Sequence, residues 1–297
     1  MSANVGRLAT RESAGVRATL MVLAFGFLAL FLVLPLVAVF SEALRQGWSS
    51  YVEALKDHET QSAIWLTLGI ALVVLPFNIL FGIAAAWAIA KFDFRGKSLL
   101  TTLIDLPFAV SPVVAGLLFI LIFGAQGWFG PWLQAHDIKV IFAVPGMVIA
   151  TLFISVPYVA RELIPLMQAQ GREEEEAAVS LGANGFQMFR RVTLPNIKWG
   201  LLYGVILANA RAMGEFGAVS VVSGHIRGET NTLPLHVEIL YNEYNAVGAF
   251  AAASVLALLA LVTLIAKTIV EWRMRHEQQT LSAALPPEKT ESVGVLT

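Results

Sequence analysis

Six stretches of about 20 or more mostly apolar residues constrain this chain more than any other feature of its sequence. They cover residues 18–40, 63–90, 99–124, 140–160, 200–223 and 246–270. A helix of about 20 apolar residues is long enough to cross the hydrocarbon core of a bilayer. The stretches do not alternate between apolar and polar residues, as the strands of a membrane barrel would. The sequence therefore predicts an all-α membrane protein with six transmembrane helices.

The composition argues against several other classes of protein. Hydrophobic residues make up 57% of the 297 residues and charged residues only 14%, against about 45–50% and about 25% in soluble domains. The chain has no Cys, which excludes a disulfide scaffold and a thiolate metal site. A net charge of −1 argues against binding to nucleic acid. We also expect no metal site, because His225 and His236 do not form a metal-binding pattern.

Lys and Arg residues are distributed unevenly between the predicted loops. Fifteen of the 20 lie in the N-terminal segment, the loop after span two, the loop after span four and the tail. Four lie in the alternate loops, and Arg211 lies inside span five. Basic loops remain on the cytoplasmic side. We therefore predict a cytoplasmic N-terminus over 1–17, a six-helix domain over 18–275 and a disordered cytoplasmic tail over 276–297.

The longest predicted loop, about residues 161–199, begins with a short helix-forming segment. An acidic run at 173–176 would lie at the start of this helix, where carboxylates favour the positive end of the helix dipole. Gly182 can take the left-handed conformation that stops a helix. The pair Asn184-Gly185 can form a turn. The pattern predicts a short helix followed by a tight turn.

A second helical segment follows this turn. Phe186, Phe189 and Val192 recur at helical spacing, and we expect Pro195 to end or redirect the helix. The two segments form a helix–turn–helix pair with an apolar face, which can dock into the groove of a partner. The residues alone equally allow a pair that packs on its own protein or on lipid headgroups.

The sequence motif in this loop resembles the EAA signature of ABC-importer permeases. That signature reads E-A-A, three residues, G, nine residues, I, one residue, L-P. Here Glu176-Ala177-Ala178 is followed at the same spacing by Gly182 and by VTLP at 192–195, with Val in place of the usual Ile. The resemblance implies that this EAA loop inserts a coupling helix into a cleft on an ATPase subunit. The coupling residues that it implies are Glu176, Ala177, Ala178, Gly182, Phe189, Leu194 and Pro195.

The resemblance extends over about residues 60–275 and narrows to sulfate/thiosulfate importer permeases, in particular to their W subunits. It rests on the segments 63–92, 105–117, 190–196 and 209–230. The stretches FAVSPVVAGL, SGHIRGET and LPLHVEILYNEYN favour the W subunit over the T subunit and the molybdate permease. The resemblance implies a type I (MetI-like) permease in the bacterial inner membrane, which translocates sulfate, thiosulfate or both by alternating access.

The same resemblance implies a set of partners. These are a T-type permease subunit, two copies of a cytoplasmic ABC ATPase, a periplasmic sulfate/thiosulfate-binding protein and the surrounding membrane lipid. ATP and Mg would be held by the ATPase, and this chain would hold no cofactor and catalyse no reaction. It has no G-x-x-x-x-G-K-[ST] motif for phosphate binding.

Three alternative functions remain to be weighed against this one. A secondary anion transporter would leave the EAA loop unexplained. A membrane-embedded enzyme would need a cluster of catalytic side chains, which the sequence does not suggest. A permease for molybdate or tungstate is the alternative within the family.

Polar residues inside the predicted spans are candidates for the translocation path, because charge in hydrocarbon is costly. Arg211 could offer guanidinium donors to a tetrahedral oxyanion, and Glu215 would keep that binding weak. At a spacing of four residues the two could equally form only an intrahelical ion pair. Ser220 and Ser223 could bond an anion or their own helix backbone. Ser111 is the fifth candidate.

Two prolines interrupt the third predicted span. Pro107 and Pro112 predict a kinked helix, which could line a gated path or only bend to pack. Asp105, near the predicted cytoplasmic edge, is expected to be a capping or interfacial carboxylate. Its negative charge argues against direct contact with an anion.

Overall fold

A computed structural model describes residues 14–284 of the chain, including the side chains of residues 15–273. Every regular element within this range is helical, as predicted. The α-helices in chain order are α1 (Ala14–Leu28), α2 (Leu34–Ala43), α3 (Trp48–Lys56), α4 (His58–Lys91), α5 (Lys97–Ala109), α6 (Pro112–Phe123), α7 (Gly130–Ala135), α8 (Val144–Gln170), α9 (Glu173–Ser180), α10 (Gly185–Met188), α11 (Leu194–Met213), α12 (Gly217–Val222), α13 (Leu233–Asn242) and α14 (Ala246–Ala284). Five-residue π-helical turns join α1 to α2 (Ala29–Val33) and α10 to α11 (Phe189–Thr193).

Four helical segments among the described residues are long and apolar enough to cross a membrane. They are Gly15–Ala43, which joins α1 and α2, then α4, α8 and the part of α14 up to Arg273. The third predicted span is instead a pair of helices, α5 and α6, bent by 109°. The fifth predicted span is also divided, since α11 ends at Met213 and α12 begins at Gly217. The third span is therefore interrupted where the sequence predicted a kink, whereas the break in the fifth span was not predicted.

Local chemistry explains both interruptions. Pro112 has no N–H and forces Ser111 before it into extended backbone, with ψ at 134°. In the second break, Glu215 accepts a hydrogen bond from the backbone N–H of Ala218 at 2.8 Å through Oε1. This carboxylate satisfies one of the free N–H groups at the start of α12. Each break therefore has a residue that favours the interruption.

Helix α8 lies at the centre of the bundle and packs closely against α4. A Cβ added to Gly82 of α4 would lie 2.5 Å from Cγ1 of Val159, so the two helices approach at a distance that only glycine allows. One turn away on each helix, the Asn78 amide donates to the Ser155 hydroxyl at 2.8 Å. Both polar residues are fully buried. Close packing and an interhelical hydrogen bond together fix α4 against α8.

Two predicted boundaries differ from the structure. Helix α8 continues to Gln170, so the EAA loop begins about ten residues later than predicted. Helix α14 continues to Ala284, past the predicted start of the tail at 276. Residues 285–297 of the predicted tail, and residues 1–13 of the predicted N-terminal segment, lie outside the described residues.

The glycine contact between α4 and α8 yields a prediction about stability. We expect Gly82→Ala to lower the free energy of unfolding by about 1–3 kcal/mol, because the added methyl group overlaps Val159. Gly69→Ala is the matched control in the same helix, since its Cβ would meet nothing within 4 Å. Thermal unfolding of the detergent-solubilised protein measures both. Equal melting temperatures for the two variants would contradict the packing described here.

Candidate functional site

The first helix of the EAA loop ends at Gly182, as the sequence predicted. Gly182 has a φ of +90°, which a residue with a side chain rarely adopts. Its N–H donates to the carbonyl of Val179 at 2.9 Å, and the N–H of Ala183 donates to the carbonyl of Ala178 at 3.0 Å. This pair of bonds is the Schellman ending of a helix. A glycine is therefore required where the EAA signature has one.

Asn184 begins the second helical segment rather than forming a turn with Gly185. Its Oδ1 accepts a hydrogen bond from the N–H of Gln187 at 2.8 Å. The Gln187 side chain accepts in return from the N–H of Asn184 at 3.1 Å. This reciprocal capping box satisfies two free N–H groups at the start of α10.

Pro195 does not end or redirect the second helix, contrary to the prediction. The chain stays helical from Gly185 to Met213, and Pro195 lies in the first turn of α11. The preceding turn is π-helical, so the N–H of Leu194 bonds to the carbonyl of Phe189. A π-turn is wider than an α-turn and relieves the clash that a proline ring makes inside a helix.

The EAA loop presents an exposed apolar surface, which we call the loop face. It consists of Val179, Leu181 and Phe186, whose exposed fractions are 53%, 89% and 72%. Among the predicted coupling residues, Glu176, Ala177, Gly182 and Pro195 are exposed, and Ala178, Phe189 and Leu194 are half-buried. The Phe189 ring packs against Trp87 of α4, with ring centroids 5.3 Å apart. The loop face is therefore uncovered, whereas Phe189 ties the loop to the helical bundle.

A buried ion pair anchors α9 to the bundle, and the sequence analysis missed it. Nζ of Lys91, at the end of α4, lies 3.4 Å from Oε2 of Glu175, and the two side chains are only 6% and 13% exposed. The Lys91 ammonium also donates to the carbonyl of Gly171. The Thr193 hydroxyl donates to Oε1 of Glu175 at 2.7 Å. One carboxylate therefore connects α9 to α4 and to the turn before α11.

A more exposed ion pair lies beside this anchor. Nη2 of Arg172 lies 3.6 Å from Oδ2 of Asp93, in the short loop after α4. The Lys97 ammonium donates a hydrogen bond to Asp93 at 3.1 Å. The hydrogen bond and charge of Lys97, followed by the charge of Arg172, lower the pKa of Asp93 below its ordinary value. The two cations therefore favour the ionised form of Asp93.

The candidate path residue Arg211 forms an ion pair with Glu215, as one reading of their spacing predicted. Nη1 of Arg211 lies 2.6 Å from Oε2 of Glu215. The pair spans the break after Met213 rather than lying within one helix. The Glu215 side chain is 1% exposed, whereas Arg211 is 29% exposed. The Glu215 carboxylate is thus enclosed by the protein, whereas part of the Arg211 guanidinium is exposed.

The two interrupted spans meet at their breaks. A Cβ added to Gly217, the first residue of α12, would lie 2.8 Å from Cβ of Pro112, at the start of α6. Farther along, a Cβ at Gly116 would lie 2.8 Å from Cβ of Val221. Small residues thus let α6 and α12 pack closely along their lengths. This contact brings Ser111 to the neighbourhood of the Glu215 break.

The three candidate serines have different surroundings. Ser111 is exposed, directly before α6. The Ser220 hydroxyl donates to the carbonyl of Gly217 at 2.9 Å. This is the bond to its own helix backbone that the sequence allowed as the alternative to anion binding. Ser223 is fully buried, and its hydroxyl accepts from the N–H of His225 at 3.2 Å. Of the three serines, only Ser111 is exposed, and it directly precedes Pro112, which packs against Gly217 beyond the second break.

No group of three or more His, Asp, Glu or Cys side chains in the described part of the chain could hold a metal ion. His236 is buried instead, and its Nε2 lies 2.9 Å from the Thr60 hydroxyl. Burial lowers the pKa of His236 below its ordinary value, against the smaller raising effects of Glu59 and Asp57. This histidine therefore belongs to a buried polar contact between α4 and α13.

Known proteins resemble this chain over most of its length. It is 52% identical over 251 residues to the sulfate transport system permease protein CysW of Escherichia coli (strain K12), covering 84% of this chain and 86% of that protein. It is 37% identical over 225 residues to the sulfate transport system permease protein CysT of the same strain, covering 76% and 81%. These identities agree with the resemblance found in the loop motif and the segments around it.

The fold also matches a solved transporter. The crystal structure of a bacterial alginate ABC transporter, in complex with an alginate pentasaccharide-bound periplasmic protein, contains a chain with a TM-score of 0.71. That match covers 88% of this chain and 94% of the other at 16% identity, so it concerns the fold. Residues 78–276 match the family described as the inner membrane component of binding-protein-dependent transport systems. This chain therefore belongs to that family, the permease subunits of ABC importers, and is a multi-pass membrane protein.

Proposed function

We propose that this chain is the W-type permease subunit of an ATP-driven importer for sulfate, thiosulfate or both. The identity of 52% with a sulfate permease over 84% of the chain carries the proposal. The permease itself catalyses no reaction. Its helices provide a path across the inner membrane for a dianion, which cannot cross bare hydrocarbon.

The partners follow from the same relatives. This chain is 52% identical to a W-type relative and 37% identical to a T-type relative. A separate T-type permease subunit would therefore complete the path. A periplasmic sulfate- or thiosulfate-binding protein would deliver the anion, as the alginate transporter crystallised with a periplasmic protein suggests. Two ATPase copies would bind ATP and Mg. The loop side would be cytoplasmic, with both termini, because fourteen of the 20 basic residues favour that orientation even when Arg161, which lies within α8, is not counted.

The loop face is the surface proposed to dock into the ATPase. An uncovered Leu181 and Phe186 on a water-exposed loop are best explained by a partner that buries them. Movement of the ATPase would then displace α9. The buried contact of Lys91 with Glu175 would pass this displacement to α4, and Thr193 would pass it to α11. These helices would rock between inward- and outward-facing arrangements.

The anion would contact the path near the two adjoining breaks. Arg211 offers the charged donors that suit a tetrahedral oxyanion, and Ser111 lies exposed at the adjoining break. Glu215 neutralises part of the Arg211 charge at 2.6 Å. A transport site must release its cargo, so partial neutralisation is useful there.

Uptake by the reconstituted complex tests the proposed function. Proteoliposomes with this chain, the T-type subunit, the ATPase and the loaded binding protein should accumulate labelled sulfate only with ATP on the ATPase side. Uptake without ATP or without the ATPase would instead establish a secondary transporter. Assembly of this chain as a homodimer that carries molybdate would establish the alternative cargo.

Docking of the EAA loop yields a second prediction. We expect Ala177→Asp to weaken co-purification with the ATPase and to reduce uptake by about tenfold or more, because a desolvated unpaired charge is costly at an interface. Ala169→Asp is the matched control, since Ala169 is also an exposed alanine, near the end of α8. If both variants retain the ATPase equally, α9 is not the docking element.

The role of Arg211 yields a third prediction, which must separate transport from folding. Arg211→Gln alone would leave the Glu215 carboxylate buried without its partner, which destabilises a protein. In the double variant Arg211→Gln with Glu215→Gln, both charges are removed, so we expect assembly to recover. Uptake of labelled sulfate should still fall by about tenfold, the loss expected for one charge-assisted hydrogen bond. Full uptake by the assembled double variant would reduce Arg211 to a structural partner of Glu215.

A further inference from the structure

We propose that Arg161 is a second anion-contacting residue, on the EAA-loop half of the translocation path. This inference rests on the proposed function, because it takes the cargo to be a tetrahedral oxyanion. It assigns a binding role to a side chain that the sequence analysis counted only among the basic residues of a loop.

The position of Arg161 within α8 makes it unusual. It lies nine residues before the end of the helix at Gln170, or about 13 Å along the axis. The same helix end lies level with Lys91, whose ammonium bonds to the carbonyl of Gly171. Arg161 is therefore within the candidate membrane span Val144–Gln170, yet its side chain is 56% exposed. An exposed charge at this depth faces water or a partner, because contact with lipid tails is too costly.

The neighbours of α8 show which side of the helix Arg161 occupies. Helix α5 packs on Ala160 and Ile164 through Ile104. Helix α11 packs on the other side, where a Cβ at Gly204 would lie 3.1 Å from Cα of Val159 and 3.4 Å from Cβ of Glu162.

At about 100° per residue, Arg161 projects between these two contacts, on the side of α8 that faces away from α4. Phe108 of α5 also packs against Tyr158 of α8, with ring centroids 5.4 Å apart, so Arg161 lies at the α5 edge of the face between α5 and α11. These are also the two helices that end at the breaks.

The guanidinium is held so that it can contact a second acceptor. Its Nε donates to Oδ1 of Asp105 at 2.6 Å, and its Cζ lies 5.7 Å from the centroid of the Phe108 ring. Nε is one of five donors on an arginine fork. The fixed fork suits a tetrahedral oxyanion. Asp105 offsets part of the positive charge, as Glu215 does at Arg211, so the site would hold the anion weakly.

Arg161 and Arg211 follow one another along the path. Gly204 lies level with Val159. Arg211 is seven residues beyond Gly204, or about 10 Å towards the break, and Arg161 is about 3 Å from Val159 in the opposite direction. The Cα atoms of the two arginines are thus separated by about 13 Å along the axis. A dianion that leaves Arg211 towards the EAA-loop end would meet Arg161 next.

Labelling of an introduced thiol tests the placement of Arg161. The chain has no Cys, so the Arg161→Cys variant carries a single thiol. The extent of its labelling is measured on a gel that separates this subunit from its partners. We expect a charged, water-soluble methanethiosulfonate to modify it when added on the EAA-loop side of the assembled complex. Leu72→Cys is the control, since Leu72 is a 72% exposed apolar residue of α4. Labelling of Arg161→Cys no faster than the control overturns the proposal.

Inhibition by sulfate inside the vesicles tests the contact itself. In Arg161→Gln, the internal sulfate concentration that halves uptake should rise by about tenfold, because a charged donor is lost. In Asp105→Asn this sulfate concentration should fall, because the Arg161 guanidinium remains and the neutral amide at position 105 no longer competes with the anion for it. A purely structural ion pair would shift both variants in the same direction, and that result, or absence of inhibition, overturns the proposal. If the unaltered complex shows no ATP-dependent sulfate uptake, the proposed function is refuted. The labelling experiment would still test where Arg161 lies.

Discussion

The close contact between α4 and α8 is the interaction on which the rest of the structure depends. Gly82 removes the side chain that would keep the helices apart, and Asn78 with Ser155 fixes their relative position by a buried hydrogen bond. Helices α5 and α11 then pack on two other sides of α8. The ends of the same two long helices also hold the EAA loop, through the contact of Lys91 with Gly171. One helix pair therefore supports both the loop and the proposed path.

Interrupting a helix inside a membrane has a cost, because the free backbone groups have no water to bond. Here the two interruptions adjoin, and Glu215 serves both a backbone N–H at the start of α12 and the Arg211 guanidinium. The fold thus uses one carboxylate to satisfy the broken backbone and to hold a cation beside it. This explains how charge and irregular backbone occur together near the middle of an otherwise apolar bundle.

The parts of the fold that the sequence predicted are those set by local chemistry. The apolar stretches predicted the long helices, and Gly182 predicted the end of α9, because each depends on a few neighbouring residues. The anchor of Lys91 could not be predicted in this way, since its partner Gly171 is 80 residues away in the chain. Pro112 predicted a kink but not its angle of 109°, which depends on how α6 packs against α12. The roles of Arg211 and Ser111 depend on partners that a single chain does not contain.

The π-helical turn before Pro195 has a geometric consequence for the loop. Such a turn holds one more residue than an α-turn would. Every side chain before it is therefore rotated by about 100° about the helix axis relative to an uninterrupted α-helix. The direction in which Phe186 points, relative to the membrane face of α11, is set by this one additional residue. The π-helical turn thus sets the rotation of the EAA loop about the helix axis relative to α11.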